Sequence, residues 1–396
     1  MLELRCSRVG SIEVVSTPAT AVPMFDFARQ YKTIRVEVLA AIEAVCASQH
    51  FILGSEVTQF EQSVTALCGA EFGVGCASGT DALWLAMAAA RIGGGDAVIT
   101  TPFSFFASVS SILRAGAKPL LADIDPATFN LSADSVEAIL RSGKENVKAV
   151  QPVHLYGQCA DFDAFVKLKE KYGVLLLEDA AQAIGASWNG TQAGALGDAA
   201  AFSFYATKNL SAYGDAGLLT TSDDEIAERS RMLRVHGMRR RYYHDELGSA
   251  SRLDTIQAAV LLVKLRYLGQ WNAKRRELAA HYDALFTKAG LAAKSAADGI
   301  VLPFVDPRGV HVFHQYVIRA PKRDDLRAHL TAKQIGSEIY YPLPLHLQQA
   351  LEHLGYKAGD FPEAERAAKE VLALPIYPEL RTEEQEMVVK AIAEFY

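Results

Sequence analysis

The sequence is poor in cysteine and tryptophan and has no long apolar run. Its five cysteines, Cys6, Cys46, Cys68, Cys76 and Cys159, are scattered, odd in number and form no Cys-x-x-Cys pair. This argues against a disulfide framework, and free thiols in a reducing compartment are expected. No stretch approaches the roughly 20 apolar residues of a membrane span, and residues 1–22 hold no apolar core of signal-peptide length. A cytoplasmic protein with no membrane partner is therefore expected. Positive charge is not in excess either: 40 Lys and Arg stand against 46 Asp and Glu, a net charge of −6, so no broad basic face is available to nucleic acid. There is no internal repeat and no low-complexity segment.

What remains is an ordinary globular composition, 50% hydrophobic and 22% charged over 396 residues. That length exceeds one small core and suits a large domain with a smaller one. Residues 1–22 show no period and read as a loose extension. Phe27, Tyr31, Ile34, Val38, Leu39, Ile42 and Val45 recur at three and four residues, which predicts an amphipathic helix over 25–47. Gly54-Ser55 then breaks the chain and caps a second helix with Val57, Phe60, Val64 and Leu67 on one face.

From residue 72 strand and helix signals alternate. Strands are predicted at 72–76, 97–101, 119–122, 147–153, 174–177, 200–204 and 218–221, and helices at 80–91, 105–115, 133–140 and 162–172. Apolar strands alternating with helices indicate an α/β protein, its large, mostly parallel sheet covered by helices, with ligands beyond the carboxyl ends of the strands. Residues 23–250 thus read as a large domain and 251–290 as a connecting long helix. Residues 291–396 read as a smaller C-terminal α/β domain, with strands at 311–319 and 337–340 and helices at 325–333, 362–372 and 382–394.

Two of the predicted strands end in reactive side chains. One runs into Glu178-Asp179-Ala180-Ala181-Gln182, the other through Ser203 into Ala206-Thr207-Lys208. A lysine to carry a Schiff base and a carboxylate for a pyridine nitrogen are what pyridoxal 5'-phosphate (PLP) requires. Singly, each is more often a solvated charge or a cap; together in one crevice they point to Lys208 and Asp179 as catalytic. Gln182, three residues beyond Asp179, can reach the ring's 3-hydroxyl. The strand-to-helix turn at residues 75–81 offers the amides of Gly79 and Thr80 to a phosphate, with the Ser203 hydroxyl beside them.

That turn, Gly73-x-Gly75-x-x-Ser78, also approaches a dinucleotide fingerprint, but the next strand ends in Thr100-Thr101-Pro102-Phe103 and lacks the required acid. Of Phe103, Phe105 and Phe106, most are core by base rate, and Phe105 is the one placed by motif position to stack on the pyridine. The run from Arg239 to His244 is ordinarily a solvated face; Arg241 and Tyr242 within it also suit a substrate diphosphate. His311 and His314 have metal-like spacing without a partner ligand, and a structural pair is expected with no metal.

Over residues 23–380 the chain resembles the DegT/DnrJ/EryC1/StrS family of PLP-dependent sugar aminotransferases. The matching stretches include FILGSEVTQFEQ (51–62), SGTDAL (78–83), VITTPFSFFAS (98–108), PVHLYGQ (152–158), EDAAQAIGA (178–186) and GDAAAFSFYATKNLSAYGDAG (197–217). The resemblance implies a fold-type I homodimer whose active sites are shared across the interface. It gives the same roles to Lys208, Asp179, Gln182, Ser203, Gly79 and Thr80, and it places His346 near the substrate. It also implies transfer from L-glutamate to a nucleotide-linked keto-deoxysugar, most like the enzymes that aminate C3. Alternatives are a 4-keto nucleotide sugar or another keto-sugar as substrate, or a PLP-binding regulator without turnover. Where the family has Asn in its Asn-x-Arg-Leu-Asp motif this chain has Ala250, so a cross-subunit phosphate contact passes to Ser249, Ser251 or a water.

Overall fold

The computed structural model describes residues 21–396. Every strand signal between 72 and 221 joins one sheet. Its strands are β1 (Phe72–Cys76), β2 (Ala97–Thr100), β3 (Lys118–Leu121), β4 (Val147–Val150) and β5 (Leu175–Asp179). After the short β6 (Ser187–Trp188) and β7 (Thr191–Gln192) come β8 (Ala199–Ser203) and β9 (Gly217–Thr221). The seven-stranded order is β1-β9-β8-β5-β4-β2-β3. Strands β8, β5, β4, β2 and β3 pair in parallel, whereas β9 runs antiparallel to both β8 and β1.

Alternation within the strands fills both faces. Leu176, Phe202 and Leu218 enter one apolar core, and Leu177, Ala201 and Leu219 enter the other. The covering helices include α1 (Phe27–Ser48), α2 (Ser55–Cys68), α3 (Gly79–Ala89), α4 (Ala107–Arg114), α5 (Ala133–Ser142), α6 (Phe162–Tyr172) and α7 (Asp224–Leu233). Ser55 does not cap α2 as expected: Gly54 occupies the N-cap and provides no side-chain bond.

After the hairpin β10 (Met238–Arg240) and β11 (Tyr243–His244), the single connecting helix expected over 251–290 is two, α8 (Thr255–Leu265) and α9 (Leu268–Lys288). The chain turns at Arg266 and Tyr267, whose side chains both reach Glu37 on α1, and the Tyr267 N–H donates to Lys264 O. Those tertiary bonds override a helical period that the sequence carries straight through.

The C-terminal region contains β12 (Gly309–Val310), β13 (Tyr316–Arg319), α10 (Arg323–Ala332), α11 (Pro362–Glu370), β14 (Val371–Leu374) and α12 (Thr382–Ala393). The helix expected to run to residue 372 stops at Glu370. Val371 to Leu374 are fully buried and pair antiparallel with β13, so strand pairing wins over helical spacing. Residues 337–340 contribute only a bridge, Glu338 to Ala373. The loose extension also ends earlier than expected. Val22 is fully buried, its N–H donates to Gln334 O and its carbonyl accepts from Gly336 N; residues 1–20 lie outside the described residues. Among the described residues no helix is long and apolar enough to cross a membrane, and Cys46, Cys68, Cys76 and Cys159 are free thiols.

Candidate active site

Asp179 closes β5, Ser203 closes β8, and the turn after β1 opens directly into α3, so all three reach the same carboxyl rim of the sheet. Asp179 is 4% exposed. Its Oδ2 accepts from Ser108 Oγ at 2.7 Å and its Oδ1 from the Ala181 N–H at 3.3 Å. Burial raises its pKa above the ordinary value, while the Ser108 bond, the Ala181 amide, Lys208 and His154 pull it back.

Lys208 sits on the loop between β8 and β9, held by its backbone N–H to Tyr205 O at 2.8 Å. No hydrogen bond or ion pair from the described residues engages its amine. Burial lowers its pKa to about 8 against the opposing pull of Asp179. At neutral pH roughly a tenth of such an amine is unprotonated, against well under a thousandth for an ordinary lysine. The result is a nucleophile facing a carboxylate in a low-dielectric crevice.

The turn into α3 is shaped for an anion. Ser78 is the N-cap and its Oγ accepts from the Asp81 N–H at 3.1 Å. That leaves the first-turn amides of Gly79 and Thr80 without an intrahelical partner. A Cβ built on Gly79 would lie 2.6 Å from Ser203 Cβ, and one on Gly217 would lie 2.2 Å from Ser78 O. Only glycine permits this approach of turn, β8 and β9, which sets the Ser203 hydroxyl beside the helix end.

Gln182 is 6% exposed; its Oε1 accepts from the Tyr156 N–H at 2.7 Å and its Nε2 donates to Tyr341 Oη at 3.2 Å. One amide hydrogen of Gln182 remains for a ligand. Of the three phenylalanines, Phe106 is half-buried against the C-terminal core. Phe103 is fully buried, whereas Phe105 is 60% exposed and tilts against Tyr341 with ring centroids 6.4 Å apart.

Other expected residues are not brought to this cluster. Arg241 and Tyr242 lie at the exposed tip of the β10–β11 hairpin, where the Arg241 guanidinium sits 5.0 Å over the Tyr242 ring. Among the described residues no hydrogen bond, ion pair or ring contact joins them to Lys208 or Asp179. His346 is sealed off: its side chain is inaccessible, its Nε2 lies 3.1 Å from Glu365 Oε1, and its ring packs on Phe361. Its Nδ1 has no hydrogen-bond partner among the described residues.

His311 and His314 are both buried. His311 stacks on Phe313 at 3.9 Å and His314 Nδ1 lies 3.2 Å from Asn209 Oδ1. Ala250 bridges Val235, and of its neighbouring serines Ser251 is buried with an unpartnered hydroxyl while Ser249 Oγ accepts from Arg114 at 3.4 Å. Sequence reasoning missed Ser104, Ser108, Tyr156 and Tyr341. The i, i+4 spacing of Ser104 and Ser108 at the entry to α4 was the available signal for the first two.

The model of the DegT/DnrJ/EryC1/StrS aminotransferase family matches residues 32–393. A pleiotropic regulatory protein of Geobacillus stearothermophilus is 50% identical, covering 95% of this chain and 98% of its own. A dTDP-3-amino-3,4,6-trideoxy-alpha-D-glucose transaminase of Streptomyces venezuelae is 40% identical over 94% of this chain and 96% of its own. The crystal structure of S. venezuelae DesV in complex with a ketimine intermediate superposes with a TM-score of 0.89 at 40% identity, covering 95% of this chain and 98% of that one. With a lysine amine that no hydrogen bond or ion pair from the described residues engages, a buried carboxylate and a glycine-lined helix start at one sheet rim, and with these matches, this chain belongs to the DegT/DnrJ/EryC1/StrS aminotransferase family.

Proposed function

We propose that the protein is a cytoplasmic, PLP-dependent aminotransferase that moves an amino group from L-glutamate to the C3 keto group of a nucleotide-linked keto-deoxysugar. The observation that carries this reading is the pairing of Lys208, its amine unengaged and its pKa lowered to about 8, with the buried carboxylate of Asp179. The similarity to the S. venezuelae transaminase supports the choice of substrate.

The residues fit the cofactor. Gly79, Thr80 and Ser203 hold its phosphate, Asp179 holds the ring nitrogen protonated, Gln182 reaches the ring hydroxyl and Phe105 covers a ring face. Bound there, PLP supplies an electron sink for the pair released at the substrate carbon. Lys208 Nζ would anchor the cofactor and, once released as the free base, would carry the proton from the amino donor's Cα to the cofactor's C4′, and in the second half reaction from C4′ to the sugar carbon. Arg241 and Tyr242 hold the sugar nucleotide's diphosphate. They would do so from a second copy in a homodimer, a reading supported by the exposed position of their hairpin, which no hydrogen bond, ion pair or ring contact among the described residues joins to Lys208.

The name of the Geobacillus relative favours one second reading, a PLP-binding regulator without turnover. The absorbance of purified protein before and after glutamate decides between them. A band near ~410–430 nm that moves to ~330 nm marks conversion to the amine form of the cofactor. Lys208→Ala is expected to abolish that shift while the fold persists. Bound PLP that no amino donor converts would support the regulator and sink the aminotransferase reading.

A further inference from the structure

Asp179 is held by one hydroxyl, itself backed by a second, and neither has a role in the reading above. Ser108 Oγ donates to Asp179 Oδ2 at 2.7 Å, and Ser104 Oγ lies 2.9 Å from Ser108 Oγ. Ser104, Ser108 and Asp179 are 2%, 1% and 4% exposed, so water does not compete for these bonds. An ionised carboxylate only accepts, which commits the one hydrogen of Ser108 to Asp179. Ser104 must then be the donor to Ser108. The chain is therefore directional, Ser104 to Ser108 to Asp179.

Its mounting is rigid. The backbone carbonyl of Ser108 accepts from Gln151 Nε2 at 2.8 Å, while the Gln151 N–H donates to Ile99 O at 2.7 Å and its carbonyl accepts from Thr100 Oγ1 at 2.9 Å. Strand ends β2 and β4 thus fix where the hydroxyl points.

We propose that Ser108, with Ser104 behind it, is a positioning residue that keeps Asp179 ionised and leaves Oδ1, which accepts only a long 3.3 Å bond from the Ala181 N–H among the described residues, with a lone pair for the cofactor's ring nitrogen. The inference rests on Asp179 being the partner of that nitrogen. The charged and titratable groups facing Asp179 are Lys208, His154 and Tyr341. Lys208 changes charge during turnover on the reading above, so its support for the carboxylate comes and goes. The serine chain is neutral throughout and its support is constant, against a burial that favours the protonated acid.

The test uses the PLP-loaded protein and Ser108→Ala, Ser108→Thr, Ser104→Ala and Asp179→Asn. For S108A we expect cofactor release to quicken about tenfold, the worth of one hydrogen bond to a charged group. The pH midpoint of the bound-cofactor absorption band should rise by about one unit, since a neutral Asp179 withdraws less charge through the ring. S108T keeps the hydroxyl and should restore both, and S104A should move both in the same direction by less. If S108A does not fold, S104A carries the test. S108A or S104A with a wild-type midpoint and release rate overturns the proposal, as does equal impairment of S108A and S108T, which would make the site one of packing. Should D179N itself keep the wild-type band and turnover, the assignment of Asp179 is what fails.

Discussion

His154 Nε2 lies 3.0 Å from Glu178 Oε2, and neither side chain has any exposed surface. His154 Nδ1 accepts from the Ala160 N–H at 3.1 Å, so the ring is held with its hydrogen on Nε2, donating to Glu178. Glu178 also accepts from the amides of Gly194, Leu196 and Gly197, each at 2.8 Å. Four donors therefore satisfy a buried carboxylate one residue before Asp179.

Glu178→Ala leaves those four donors unpaired in the interior, and the expected loss is about 3–5 kcal/mol. Urea unfolding of wild type and variant measures it. A change below about 1 kcal/mol would mean that the loop at 194–197 finds other partners.

Gly79→Ala pushes a methyl against Ser203 Cβ, 2.6 Å away. Overpacking of this kind costs about 1–3 kcal/mol of stability. The turn must also shift away from the anion site, so PLP affinity should fall at least tenfold, by roughly the same energy. Fluorescence titration with PLP reads the second effect, and unchanged affinity would move the phosphate elsewhere.

Lys264 gives a pH signature. It is 3% exposed, its Nζ donates to Ser211 Oγ at 2.9 Å, and burial lowers its pKa from 10.5 to about 8. The unfolded chain therefore binds more protons than the native one between those values. Stability from this group rises with pH across that window and is lowest below it. Wild type should gain on Lys264→Met by on the order of 3 kcal/mol between pH 7 and pH 10.5; parallel urea curves would show no such gain if the amine were solvated.

Arg241→Ala tests the hairpin. Among the described residues no hydrogen bond, ion pair or ring contact joins its side chain to the Lys208 cluster, so the half-reaction with glutamate should keep its rate. The KM for the sugar nucleotide should rise about tenfold or more for a lost charge-assisted phosphate contact. Single-turnover kinetics with each substrate separates the two, and a slowed glutamate step would place Arg241 elsewhere in the mechanism.

The sheet was legible because each of its strands is a short, nearly continuous apolar run, and Asp179, Ser203 and Lys208 follow such runs directly. What escaped reading depends on distant partners. The turn at Arg266 and Tyr267 is set by Glu37, more than 200 residues earlier, and β14 exists because Tyr316 to Arg319 pair with it. Ser108 was hidden in the same way: a serine near the start of a helix looks like a local cap, and only the fold brings Asp179 to it.

The reversal of β9 has a consequence for how the lysine is carried. Ser203 and Gly217 are register partners, so the chain leaves the sheet at one and re-enters at the other on the same rim. The segment bearing Lys208 is therefore an enlarged hairpin turn, tethered at both feet to adjacent strands. A parallel β9 would instead have sent the chain across a face of the sheet to the opposite rim. Insertions or deletions in this segment can be absorbed outside the hydrogen-bonded ladder, leaving strand register, and with it the placement of Asp179, untouched.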